Sequence, residues 1–310
     1  MTFNMLIAIL AAAISTGTPI LFVALGEIIA EKSGVQNLGL EGMMLVGAVT
    51  GFIVGASSLN LFMAILAAAL GGGVLALLHS YVTITLKANQ VVSGLALTIF
   101  GTGLSGYLGK PYVGMPAPVK FDSVAIPFLS EIPVVGPVFF NHNVLVYFSY
   151  ALVFLLWFFV YRTNFGLNLR ATGENPGAAD SLGVNVFALR YVYTIFGGML
   201  AGVGGAYLSL ASAPSWVENM SGGRGWIAIA LVIFAIWNPA RAIFGAYLFG
   251  GVEALGYRLQ AIGVTASPFI LNMMPYLLTI GVLILVTISS RTKHIGEPES
   301  LGIPYDREER

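Results

Sequence analysis

Few side chains in this sequence could do chemistry, and their spacing argues against most of it. His79, His142 and His294 lie far apart, without the spacing that gathers a metal ion, and each reads as a helix-end or loop group. The one Gly-Lys pair, Gly109-Lys110, has Leu104 where a phosphate-binding loop needs its first glycine and Pro111 where it needs a hydroxyl, so ATP hydrolysis by this chain is not expected. No serine stands in GxSxG, and the absence of cysteine removes disulfides, thiolate metal sites and a thiol nucleophile. What remains is a set of carboxylates in apolar surroundings. Glu27, Glu31 and Lys32 crowd one end of an apolar segment, Glu41 opens the next, and Glu253 lies deep inside another. Glu253 reads either as a group lining a path or as a carboxylate satisfied by a neighbouring helix. The neutral groups Gln36, Asn37, Asn89, Gln90 and Ser93 stand nearby, and they suit an uncharged polar substrate better than an ion.

The elements that carry these groups are membrane helices. The chain is 57% hydrophobic and only 9% charged, with mean hydropathy +0.87, against roughly 25% charged in a soluble domain. With about 20 apolar residues to a crossing, the sequence predicts an all-α polytopic protein of about nine transmembrane helices. Their ranges are 3–28, 38–56, 60–86, 90–108, 144–161, 189–211, 224–238, 240–262 and 268–290. The seventh is short and stops at Asn238-Pro239, which predicts a tight hairpin or a partly re-entrant pair with the eighth. Met1 to Asn4 carry no basic residue, so the first segment is expected to stay as a helix and not to be cleaved as a leader.

One polar island, residues 162–190, interrupts this hydrocarbon. Within it Asn175 suits a helix N-cap, Pro176 a first helical position and Gly183 the residue just past the end, leaving about two turns. Ala178, Ala179 and Leu182 would share a small apolar face that could lie in a partner's groove. If the island is cytoplasmic, alternation puts Lys32, Lys87, Arg162, Arg170, Arg190, Arg241, Arg291, Lys293, Arg307 and Arg310 inside, and Lys110, Lys120, Arg224 and Arg258 outside. That arrangement leaves the N-terminus outside and the tail 291–310 cytoplasmic. The Pro-rich segment 109–143 becomes the one large outer loop, expected to be extended and locally stiff.

Glycine is placed for packing. Gly198 and Gly202 form a GxxxG, Gly197, Ala201 and Gly205 repeat the spacing, and Gly71-Gly72-Gly73 reads likewise, so helix backbones can touch there.

Four ordered stretches carry a family resemblance. They are GEIIAEKSGVQNLGLEGMM from Gly26, ANQVVSGLALTIFGTG from Ala88, RATGENPGAADSLGVNV from Arg170 and GGRGWIAIALVIFAIWNP from Gly222. Together they resemble the permease subunits of bacterial ABC importers for nucleosides, within a wider family that serves ribose, other simple sugars and branched-chain amino acids. The resemblance implies a type II importer fold in the cell membrane, with the island as the coupling helix. Arg170, Glu174, Asn175, Ala178, Ala179, Asp180, Leu182 and Gly183 would form the surface that docks on the ATPase. It implies no cofactor on this chain, with ATP and magnesium used by the partner ATPase. It also implies a second permease subunit, usually a related but unequal one of which this chain resembles the smaller, and an extracytoplasmic substrate-binding protein, often a lipoprotein. Nucleic acid is not among the expected partners.

As polar and ionisable groups within or at the start of apolar segments, Gln36, Asn37, Glu41, Asn89, Gln90, Ser93 and Glu253 are candidates for the translocation path. Ribose or another simple sugar is the alternative substrate. A different class is an ion-driven secondary transporter with Glu41 and Glu253 as relays, but no internal repeat is evident and the island would have no role.

Overall fold

The computed structural model describes residues 3–261, 267–289 and 296–308. Among them, helix α1 (Phe3–Glu31) is followed by α2 (Leu40–Ser58) and by α3 (Leu61–Ser80), which continues as a π-turn over Tyr81–Thr85. Then come α4 (Gln90–Gly109), short α5 (Val135–Phe139), α6 (Val144–Arg162), α7 (Asn164–Glu174), α8 (Pro176–Ser181) and α9 (Val186–Tyr207), which ends in a second π-turn, Leu208–Ser212. Helices α10 (Arg224–Phe234), α11 (Pro239–Ala261) and α12 (Pro268–Ser289) complete the order. Arg291, Lys293, His294 and Arg310 of the expected basic tail lie outside the described residues.

Six helical stretches are long and apolar enough to cross a membrane: Phe3–Glu31, Leu40–Ser58, Leu61–Thr85, Gln90–Tyr112, Val144–Arg162 and Val186–Ser212. Helices also occupy the three remaining expected segments, but they differ in kind. With 11 residues, α10 spans only ~16 Å, about half a hydrocarbon core of ~30 Å. Helix α11 carries Arg241, Glu253 and Arg258 along its length. Among the described residues the structure therefore has six clear spans, followed by the short apolar α10, the charged α11 and the apolar α12, which carries Pro275 inside it.

The expected outer loop does not stay extended. It folds into a 3₁₀ turn at Lys110–Tyr112, strand β1 (Ser123–Ala125), α5 and strand β2 (Asn141–Asn143), with the strands antiparallel and Ser123 opposite Asn143. Phe121 N–H donates to Leu210 O and Ala117 N–H to Pro214 O, so the loop is tied to the end of α9. Backbone groups in this short excursion thus find partners that an extended strand could not offer.

Among the described residues six helices begin on asparagine. Asn60, Asn89, Asn143, Asn175, Asn185 and Asn238 each accept from a backbone N–H two or three residues on, which satisfies donors a helix start leaves open.

The centre of the packing is α9, which lies against α1, α2 and α3. No polar glue is needed, because small residues let the backbones touch. A Cβ on Gly202 would collide with the Ala68 carbonyl, and one on Gly47 would sit 2.7 Å from the Gly202 carbonyl carbon. Gly202→Val should therefore force α2, α3 and α9 apart, costing about 1–3 kcal/mol or more. A thermal melt of the purified protein in detergent checks this, and a melting temperature equal to the parent's would contradict the close approach.

Candidate functional site

The segment between α1 and α2 turns back into the protein and is held there by polar groups. Glu27 Oε1 accepts Asn37 N–H (2.8 Å), and Asn37 Oδ1 accepts Gly39 N–H (2.9 Å). Gln36 N–H donates to Gln90 Oε1 (2.7 Å), while His79 bridges the Gln36 carbonyl and Ser93 Oγ, both at 3.0 Å. The structure thus brings Gln36, Asn37, Gln90 and Ser93 into one network tying this turn to α1, α3 and α4. Asn89 lies outside it and caps α4 through Val92 N–H at 3.0 Å.

Helix α2 starts within the protein's depth, because Gly42 packs on Leu97–Thr98 of α4 and Gly39 on Gly94. There Glu41 meets the beginning of α10. Its Oε1 accepts Ser221 Oγ–H (2.5 Å) and Gly223 N–H (2.7 Å), and its Oε2 accepts Gly225 N–H (2.6 Å). A carboxylate at this position satisfies open helix donors and faces the positive end of the helix dipole. Gly225 permits it: a Cβ there would lie 2.6 Å from Glu41 Cα. The other end of α10 is fixed by Trp237, whose indole donates to Glu31 Oε2 (2.5 Å) from a left-handed backbone, φ 49°.

Arg224, at the start of α10, forms a mostly buried ion pair with Glu253 of α11 and donates to the Met220 and Ser221 carbonyls at 3.2 and 3.0 Å. Residues 213–223 before it form no helix, so α10 starts from a turn packed against α2. Glu253 also accepts Tyr257 O–H at 3.0 Å. Beside this group lies a cavity of about 350 Å³ between α10, α11 and α12, lined in part by Gln260 and Tyr276.

The polar island forms at the end of the molecule where α1 and α6 finish and α9 starts. Asn175 Oδ1 accepts Ala178 N–H (2.9 Å), Pro176 is the first helical residue of α8, and Gly183 leaves it with φ +86°. Its apolar face differs from the expected one. Ala178 and Leu182 are exposed, Leu182 by 85%, whereas Ala179 is turned inward at 2% exposure and its carbonyl accepts Val184 N–H. Helix α7, capped by Thr163 through Gly166 N–H, supports α8 from before and presses Gly173 on the Lys32 backbone. Arg170 and Lys32 both approach the Tyr161 ring, at 5.7 and 6.0 Å, while Glu174 is exposed. Burial pulls the Lys32 ammonium down to about 8, an effect Glu174 opposes and Arg170 reinforces.

Residues 296–308 lie across this island as a strap. Ser300 donates to the Gly173 carbonyl from N–H and hydroxyl, at 2.9 and 2.6 Å. Buried Arg190 reaches Ser33 O (3.0 Å), Ile303 O (3.0 Å) and Ser300 Oγ (3.1 Å). Asp180 of α8 accepts a two-point bond from Arg307, 2.8 and 2.6 Å, and Tyr305 O–H at 3.0 Å. Asp306 pairs with Lys87. The strap has no hydrophobic period to announce it. The Thr163 cap was a sequence signal for α7 that the apolar-span reading passed over.

With this geometry in place, comparison with known proteins identifies the chain's relatives. The family described as "Branched-chain amino acid transport system / permease component" matches residues 9–287. The chain belongs to this permease family. It is 40% identical to a putative glucose ABC transporter permease protein of Haloferax volcanii, over 97% of this chain and 98% of that one. It is 33% identical to a guanosine ABC transporter permease protein of Bacillus subtilis, over 96% of each. A chain from the inward-facing conformation of a putative metal-chelate type ABC transporter superposes with TM-score 0.51 at 13% identity, covering 90% of this permease and 85% of that chain, a likeness of fold alone. The permease is thus a multi-pass membrane subunit of an ABC transporter and not itself an enzyme. Such subunits work with an ATPase and a substrate-binding protein.

The Glu41 contact generates a direct expectation. Glu41→Ala leaves the Gly223 and Gly225 N–H groups buried without acceptors, at about 1–3 kcal/mol for each unsatisfied group. Glu41→Gln keeps one acceptor oxygen and should lose less. Thermal melts of the two purified variants test the ranking, and an alanine variant as stable as the parent would remove the capping role. For the strap, Asp180→Ala should speed hydrogen exchange of the 300–303 amides, with the spans unchanged.

Proposed function

We propose that this permease is one of two related, unequal membrane subunits of a nucleoside importer, and that α8 is the element through which the ATPase moves it. The observation that carries this reading is an exposed, capped helix with Ala178 and Leu182 outward, braced by α7 and the strap. Arg170, Glu174, Asn175, Asp180 and Gly183 hold or flank it, and Ala179 anchors it to the body. ATP and magnesium belong to the ATPase, which must favour one permease conformation over the other, since equal affinity for both shifts nothing.

In this reading the island faces the cytoplasm and the N-terminus is outside. Support comes from the clustering of Lys32, Lys87, Arg170, Arg190 and Arg307 around the island, on the cytoplasmic side that the distribution of basic residues favours. Helices α10, α11 and α12 complete nine membrane segments, with α10 as a half-span paired to α11. The path runs beside Glu41 and Glu253. Gln36, Asn37, Asn89, Gln90 and Ser93 stiffen its wall, and an external binding protein delivers substrate to the 109–143 loop.

Nucleoside specificity is favoured by the guanosine-permease relative, and a simple sugar is the second reading because the glucose-permease relative is also close in sequence. Uptake of labelled guanosine in cells with and without the permease, competed by cold guanosine, ribose or glucose, separates them. Loss of uptake on deletion, with competition by guanosine alone, is the expected outcome; unchanged guanosine uptake with other carriers disabled moves the substrate to a sugar.

Leu182→Asp tests the coupling assignment. It should abolish or strongly reduce ATP-driven uptake while the protein still inserts and purifies normally. Normal transport by that variant would remove α8 from the coupling role.

A further inference from the structure

The groups around Arg224 do more than hold α10 in place. Glu253 neutralises the guanidinium, so a cation and an anion meet deep in an apolar protein with no net charge between them. Yet the guanidinium is not saturated: Arg224 Nε is a buried donor with no hydrogen-bond partner. A donor of this kind is costly to leave unmade. The adjoining cavity, at about 350 Å³, lies within the ~300–1,000 Å³ range of small-molecule sites.

The lining has two characters. Ile227, Leu271 and Pro275 supply apolar surface and two phenol rings, Tyr257 and Tyr276, supply flat faces. The Gln260 amide and the Arg224–Glu253 pair supply hydrogen-bonding groups of both polarities. A second cavity, of about 360 Å³, lies between this one and the last turn of α9, and it is bounded by Thr16, Ser212 and Met220. Arg224 and Tyr257 line both cavities, so the two chambers meet at these side chains.

We propose that the chamber bounded by Arg224, Glu253, Tyr257, Gln260 and Tyr276 is a nucleoside-binding station on the translocation path, entered from the second chamber past Arg224 and Tyr257. This rests on the importer reading above and adds a place and a chemistry to it. A nucleoside is neutral, with a planar base to stack on a tyrosine and with hydroxyls and ring nitrogens for Arg224 and Gln260. A free sugar offers the tyrosines only a small C–H face and lacks the ring nitrogens of a base. A nucleotide brings phosphate charge beside Glu253 and has to break the ion pair to gain Arg224. The station therefore passes nucleosides and refuses their phosphates.

The cysteine-free sequence offers a test that does not depend on transport activity. Gly256→Cys, a lining position with room for a side chain, is assembled with its partner permease, ATPase and binding protein and treated with a water-soluble methanethiosulfonate, and labelling of this subunit is followed by mass spectrometry. Asp122→Cys on the exposed 109–143 loop is the control. Guanosine at about ten times its Kd should slow labelling at position 256 about tenfold, ribose and guanosine monophosphate should not, and position 122 should be indifferent to all three. Adding Tyr276→Ala should abolish the protection, whereas Tyr276→Phe should keep it. Protection by ribose without guanosine overturns the nucleoside class here and in the proposed function together. No protection by either, in an assembly whose parent takes up guanosine, overturns the chamber assignment alone.

Discussion

A helix that starts inside the packed body of a protein carries N–H groups that water does not reach, and this constraint organises the polar contacts of the permease. Helix α10 begins against buried α2, and the Glu41 carboxylate takes the donors. Once that contact is required, several residues are no longer free to vary. Gly225 must lack a side chain so that α10 can rest on α2. Arg224, one position earlier, is then carried into the interior, where Glu253 is needed to neutralise it. The cavity beside the pair lies where α10, α11 and α12 meet.

The other half of the molecule is built on the opposite principle. Where α9 meets α1, α2 and α3, glycine and alanine replace polar contacts, and backbone approaches backbone at Gly26–Gly197 and Gly47–Gly202. Such packing tolerates almost no volume change. A rigid body of this kind suits a protein that must transmit movement from one end. Helix α11 belongs to this close packing, since Gly250 and Gly17 bring it against α1; α10 and α12, which border the cavity, are the part with room to rearrange.

Much of this was legible in the sequence where the signal is local. Asn175, Pro176 and Gly183 mark α8 because capping chemistry acts within a few residues, and the small-residue repeat on α9 names its own packing face. The resemblance of the four quoted stretches also led to the permease family. What was hidden depends on long-range partners. Arg224 is a lone charge in the sequence, and only the fold shows that Glu253, 29 residues on, neutralises it. Gln36 and Gln90 likewise meet only because the α1–α2 turn folds back on α4. The strap has no period and no apolar run, so Asp180, Tyr305 and Arg307 came together only through tertiary structure. Ala179 faces inward for a related reason: a six-residue helix is oriented by what lies beneath it, here α7 and the 184–186 turn, more than by its own periodicity.

Under the proposed coupling role of α8, the strap decides how force would enter the rigid body. Helix α8 is too short to be stable by itself, so an ATPase pressing on an isolated α8 would deform it and move nothing else. Asp180 joins α8 to Arg307, Arg307 continues into a segment that holds Gly173 of α7, and Arg190 at the foot of α9 grips that segment and the α1–α2 turn together. Displacement of α8 is thereby shared among α7, α1 and α9. From α9 it passes to α2 and α3 through backbone contact, and α2 carries Glu41, the acceptor for α10. A movement at the island thus reaches the half-helix and its cavity through groups that are either close-packed or hydrogen-bonded at every step. Physical continuity of this kind is a condition for coupling, and the differential preference of the ATPase for one arrangement of the chain supplies its direction.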